Sequence, residues 1–131
     1  MTVDELIAII NTDPENLQFT EVISVIEENY NYRPTRFQNG AGSRAISNDA
    51  GSNEGSCKIF AFGKLHGLDK QQTLACFGNY YREDVRGHPK NDDHANIRNF
   101  MQHGWEGIRF DSEALLPLTG TAERVQDSGP S

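Results

Sequence analysis

Cys57 is the residue here with the sharpest chemical potential. It stands in the first turn of a patterned helix, where free amide donors and the helix dipole favour a thiolate. A thiolate nucleophile needs an imidazole base and an orienting amide or carboxylate. His88, His94 and His103 could supply the base, with His94 the first choice, and Asn79, Asp92 or Asn96 could orient it. Glu54 weighs against this, because a neighbouring carboxylate disfavours a thiolate. A reduced thiol packed in a core is the plainer reading of both Cys57 and Cys76.

The run His88-Pro89-Lys90-Asn91-Asp92-Asp93-His94 carries the residue types of a metal site, with His88, Asp92 and His94 as ligands. Its spacing matches no closed ligand pattern, and Asp92-Asp93 is accounted for by capping the helix that follows. No metal and no other cofactor is therefore expected. His66 and His103 each precede a helix-ending glycine and suit the last carbonyls of their helices.

A binding surface is the reading that uses the remaining groups best. Loops joining rigid helices collect binding groups, and aromatic and guanidinium side chains anchor interfaces. Tyr80, Arg82, His88, Asp92, Asp93 and Trp105 are the expected contact residues, with the glycine-rich loop 39–53 as a border. Arg82, Arg86, Lys90, Arg98 and Arg109 beside Tyr80 and Tyr81 could be taken for a nucleic-acid surface. Interleaved Glu83 and Asp84 make a solvated helix face the better account.

The elements that must position these groups follow from apolar spacing. The run from Ser56 to Gly67 is apolar on nearly every side, so it belongs inside a domain. It is expected to be the central helix, with residues 57–65 the most buried stretch. Thr2 and Glu5 read as a capping box for a first helix that Asp13-Pro14 ends. Thr20 is expected to cap a second helix, which stops between Asn29 and Pro34. Asp69 and Gln72 open a fourth, with the stripe Leu74, Phe77, Tyr81 and Val85, broken at Gly87. Asp92 or Asp93 would start a fifth, closed by Gly104.

Extended structure is expected only at the margins: an edge strand over 33–38 with Phe37 inward, and a short segment holding Trp105, Ile108 and Phe110. A last turn would run from Asp111 through Leu116. The fold class is therefore mainly α: one compact domain, residues 1–118, of about five helices around a buried one. Residues 119–131 read as a disordered tail.

Charge narrows the partners. Nineteen acidic residues face twelve basic ones across 131 residues, a formal net charge of −7. No Lys or Arg precedes Arg33. This balance argues against nucleic acid and against anionic membrane, which attract clustered cations. No run is long enough to span a bilayer, and a cytoplasmic protein is expected.

At Asn53-Glu54-Gly55-Ser56-Cys57-Lys58-Ile59-Phe60-Ala61-Phe62 the chain resembles the HopJ type III effector family. The resemblance continues through Gly67-Leu68, Gln72-Thr73-Leu74, Tyr80-Tyr81-Arg82 and Asp93-His94-Ala95-Asn96-Ile97-Arg98-Asn99-Phe100-Met101 to Gly104-Trp105-Glu106-Gly107-Ile108. It implies an association with bacterial type III secretion, and a host protein as partner if this chain is exported from the bacterial cytoplasm. It brings no enzyme activity, cofactor or catalytic residue. The resulting expectation is a small domain that binds a protein or a small ligand without catalysis of its own. A Cys57-dependent hydrolase or transferase is the alternative.

Overall fold

The structure, a computed structural model, describes residues 1–118, so the expected tail lies outside the described residues. Among the described residues there are five α-helices: α1 (Val3–Thr12), α2 (Phe19–Asn29), α3 (Glu54–Leu65), α4 (Lys70–Ala75) and α5 (Ala95–His103). Five three-residue strands accompany them: β1 (Tyr30–Tyr32), β2 (Phe37–Asn39), β3 (Ile46–Asn48), β4 (Ile108–Phe110) and β5 (Leu115–Pro117). They form two antiparallel sheets, β1-β5 and β3-β2-β4.

The expectation of a mainly α domain is thus corrected to a mixture of helices and sheets. The physical reason is strand length. Three residues are too few for an alternating pattern to stand out from a loop. Phe37 does turn inward and is fully buried, but its strand is the centre of the second sheet, paired on both sides, and is no edge. The expected turn over 111–116 instead leads into β5. Pro117 is tolerated there because β5 is an edge strand. Ile108 and Phe110 do lie in a short strand, as their spacing suggests.

Helix α3 runs through the middle, with Cys57, Ile59, Phe60 and Phe62 buried. The longest unbroken buried run, however, is 73–78, because Lys58, Lys64 and Leu65 of α3 reach solvent. Phe60 is the hub. Its ring lies 4.9 Å from Phe100, 5.5 Å from Phe77, 5.9 Å from Phe37 and 6.4 Å from Trp105. Burying such a group of rings removes a large apolar area from water and fixes α3, α5 and β2 on a common base.

The fourth helix is not the continuous rod its stripe suggests. It stops after Ala75, and Gly78 turns with φ +59°. A Cβ there would stand 2.7 Å from the Phe19 amide nitrogen, so only glycine lets this turn close onto α2. The chain then re-enters a wide π-type helix over Tyr80–Val85, in which Arg86 N–H donates to the Tyr81 carbonyl at 2.8 Å. That widening presents Tyr80 to solvent while Tyr81 and Val85 stay buried. Among the described residues no helix is long and apolar enough to cross a membrane.

Candidate functional site

Helices α3 and α5 begin side by side. The residue before each is in the left-handed conformation, Asn53 at φ 51° and His94 at φ 52°, and neither side chain caps its own helix. The Asn53 side chain instead joins a network that ties the two starts together. Asn48 Oδ1 accepts from Asn53 Nδ2 at 2.7 Å and from Asn96 Nδ2 at 2.8 Å. Asn48 Nδ2 donates back to Asn96 Oδ1 at 3.1 Å. Asn39 Nδ2 completes the knot, donating to Asn96 Oδ1 at 3.0 Å and to its carbonyl at 2.8 Å. Asn39, Asn48 and Asn96 are all buried, which makes each of these bonds costly to break.

Between the two starts lies a cleft of about 460 Å³. Phe19, Phe77 and Tyr80 form an aromatic wall. Asn53, Ser56, His94 and Asn96 bring polar groups, and Ile46 and Ile97 add further apolar surface. No lysine, arginine or carboxylate lines it. The first amides of a helix have no intrahelical acceptor. Those of Gly55, Ser56, Ala95, Asn96 and Ile97 belong to cleft-lining residues, so the backbone there offers donors.

Two features set the mouth. The His94 ring is held by Asp84, Nε2 to Oδ2 at 3.0 Å, and lies 5.2 Å from the Tyr80 ring. Tyr80 packs edge-on against Phe19 at 5.0 Å and is 44% exposed. Beyond this aromatic pair a second hollow of about 220 Å³ shares both rings and is bordered by Gln18, Thr20, Asn79 and Asp84.

The residues singled out from sequence divide three ways. Tyr80 and His94 lie on the cleft, as do Ile46 and Asn53 of the loop expected to border a site. His88 and Asp92 are exposed in the connection before α5, and Asp93 binds Arg98 at 2.7 Å, which holds its carboxyl below the usual range. Asp93 therefore anchors a side chain and does not cap α5.

Arg82 and Trp105 are turned to internal work. Arg82 donates to the carbonyls of Pro14 and Leu17 at 3.1 and 2.6 Å and to Asn79 Oδ1 at 3.2 Å. Trp105 Nε1 donates to the Leu68 carbonyl at 2.8 Å, and its ring packs on Phe100 and Phe60. It borders a different hollow, with Gly63, Gly67 and Leu68, so it is not brought to the cleft.

Cys57 is 1% exposed, and its thiol donates to the Thr35 carbonyl at 3.7 Å. Burial pushes the thiol up from its ordinary value, outweighing the opposing influence of Tyr32 and the Thr35 backbone, and no imidazole adjoins it. The His94 expected to serve it is bonded to Asp84 instead. Burial likewise pushes Cys76 up to about 12. Among the described residues no three His, Cys, Asp or Glu side chains come together as a metal site, so His88, Asp92 and His94 are not assembled into one.

Phe19 and the knot of Asn39 and Asn48 were not legible as site residues. Phe19 lies outside the apolar stripe of α2. The asparagines sit among Gly and Ser in a stretch that reads as plain loop, and nothing in residue type alone marks a buried amide.

The sequence matches the family described as HopJ type III effector protein over residues 3–115. Among curated proteins none matches it. A solved structure, described as the crystal structure of unknown function protein VPA0580, is similar at 51% identity, with a TM-score of 0.85 over 90% of this chain and 95% of that one. With the family matched over nearly all the described residues, the chain belongs to the HopJ type III effector protein family.

Proposed function

We propose that the protein works as a binding domain, taking a small ligand or a segment of a protein partner in the cleft between the starts of α3 and α5. The observation that carries this is the cleft itself: about 460 Å³ lined by three aromatic rings and by polar side chains, with no lysine, arginine or carboxylate among them. Sites that hold small molecules have this make-up, apolar surface for affinity and a few fixed polar groups for orientation. The backbone donors suit a ligand that carries acceptors, such as carbonyl groups. Membership in an effector family makes a host polypeptide the partner to consider if the protein is exported.

The Cys57-dependent alternative draws no support from the thiol's surroundings. Buried, raised and bonded to a carbonyl, Cys57 is expected to resist iodoacetamide until the protein unfolds. Fast alkylation of the folded protein would reopen the nucleophile reading.

Backbone NMR with a fragment library tests the binding reading. Shifts are expected to gather at Gly55, Ser56, Tyr80, Ala95 and Asn96. Shifts confined to the outer face of α1 and α2, or to His88 and Asp92, would place the site elsewhere and overturn the assignment.

A further inference from the structure

The cleft and the smaller hollow beside it are not separate features. Both are lined by Phe19 and Tyr80, so the two rings form a ridge with a depression on either side. A ridge of this kind is poorly matched to one compact ligand, which would fill one depression and leave the ring exposed. It matches an extended chain that straddles the ridge. Tyr80 is also one of few large apolar side chains among the described residues that are more than two-fifths exposed, apart from those near the ends.

The two depressions differ in charge. The cleft is lined by no lysine, arginine or carboxylate, whereas Asp84 lines the smaller hollow, with its side chain 47% exposed. The guanidinium that reaches Asp84, that of Arg98, donates to the Asp84 backbone carbonyl at 3.4 Å and is paired with the Asp93 carboxylate at 2.7 Å, while Arg82 is committed to the carbonyls of Pro14 and Leu17. The chain as a whole carries −7. An extended partner would therefore lay an uncharged stretch in the cleft and a cation beside Asp84.

Hydrogen-bond chemistry selects the backbone of that partner. The main chain around the cleft offers N–H groups, so the partner must bring carbonyls without an equal number of N–H groups needing acceptors. Proline-containing segments do this. Their prolines lack the N–H, their polyproline II backbone has no internal bonds, and the proline rings pack against exposed aromatic side chains. Resting on the cleft being the binding site, we infer that the occupant is an extended, proline-rich peptide segment bearing a basic residue, laid across the Phe19–Tyr80 ridge.

The probe is a short proline-rich peptide with one arginine near an end, titrated into the intact protein and followed by backbone NMR. Saturable shifts are expected in both depressions, at Gly55 and Ala95 on one side and at Gln18 and Asn79 on the other. Tyr80→Ala should weaken binding about ten-fold or more, as loss of an aromatic anchor does, while Tyr80→Trp should retain it. Replacing the arginine of the peptide by glutamate should weaken binding several-fold at low salt and much less at high salt. Equal binding of a glycine-serine peptide with the same arginine, shifts on one side of the ridge only, or indifference to Tyr80→Ala would overturn the inference. Fragments that bind the cleft while the peptide does not would overturn it and leave the binding reading standing; silence from both would remove the two together.

Discussion

Helices α1 and α4 begin in one way, and α3 and α5 in another. At the start of α1, Thr2 and Glu5 exchange bonds of 3.0 and 2.8 Å between side chain and backbone, and Asp69 and Gln72 do the same for α4 at 2.8 Å each. Each box satisfies its donors within its own turn. At α3 and α5 the preceding residue is left-handed, a conformation that costs a non-glycine residue roughly 1–2 kcal/mol. Its side chain binds sideways, Asn53 to Asn48 and His94 to Asp84. A helix that starts at open surface is closed by its own sequence. Two helices that start on a shared cleft keep their donors free and spend side chains on holding each other.

The strongest way to break this contrast is to remove what both open starts stand on. Phe60 touches the rings of Phe100 and Trp105, so it supports α3 and α5 at once. Phe60→Ala is expected to cost about 3–5 kcal/mol in urea unfolding. A loss under about 1 kcal/mol, the scale of a tolerant surface site, would mean the two starts have separate supports. Next in size is Asn48→Leu, which strips partners from Asn53 and buried Asn96. It should cost roughly 2–3 kcal/mol and speed hydrogen exchange at both helix starts. An effect at α3 alone would show that Asn48 does not join them.

How much of this was readable beforehand depends on whether the partners were near in sequence. The boxes at Thr2 and Asp69 were legible because the bonding residues are three apart, and the end of α2 at Asn29 because Pro34 follows shortly. The apolar run of α3 declared a central helix. Asn39, Asn48 and Asn96 were not legible as a knot, since 48 residues separate Asn48 from Asn96 and a polar loop residue looks alike buried or exposed. The break at Gly78 was hidden by a stripe that stays in register across it. Of the strands, the segment at Ile108 and Phe110 was legible and the one at Phe37 was read as an edge; the others were missed because each has only three residues, and their pairing partners lie far along the chain, as Tyr30 with Pro117. Tyr80 and His94 were named for their residue types, and Trp105 with them; only packing separated the first two from the third.

Smaller substitutions sharpen the contrast at the helix starts themselves. Asp69→Ala removes a closed start and should cost about 1 kcal/mol, the usual worth of a side-chain cap. If α5 were closed in the same manner, changing His94 would cost as much. His94→Gly instead relieves the left-handed backbone while losing a pair with Asp84, whose two side chains are 30% and 47% exposed. Such a pair is screened and worth about 0–1 kcal/mol. The relief of roughly 1–2 kcal/mol at least cancels that loss, and urea unfolding is expected to show no net destabilisation, with a gain of up to about 1 kcal/mol. A loss as large as that of Asp69→Ala would show that His94 closes its helix after all.

The smallest effect concerns acid, and it asks whether α3 is sensitive at its open start or at its other end. His66 ends α3, bonds the Tyr30 hydroxyl, and has its imidazole pushed below its ordinary value by burial, with Asp4 opposing weakly. The unfolded chain, with a histidine value of about 6.5, then takes up the proton before the folded one does. The contribution of His66 is therefore complete above about pH 6.5 and is lost as pH falls toward the lower folded value. Asp93, held down by Arg98, acts in a different window: its contribution is present above about pH 4 and is lost below it. Thermal midpoints measured between about pH 7 and pH 5 should fall gently, and His66→Gln should flatten that fall while leaving the steeper loss below pH 4. If the slope survives in His66→Gln, the acid sensitivity does not arise at the end of α3 where His66 meets Tyr30.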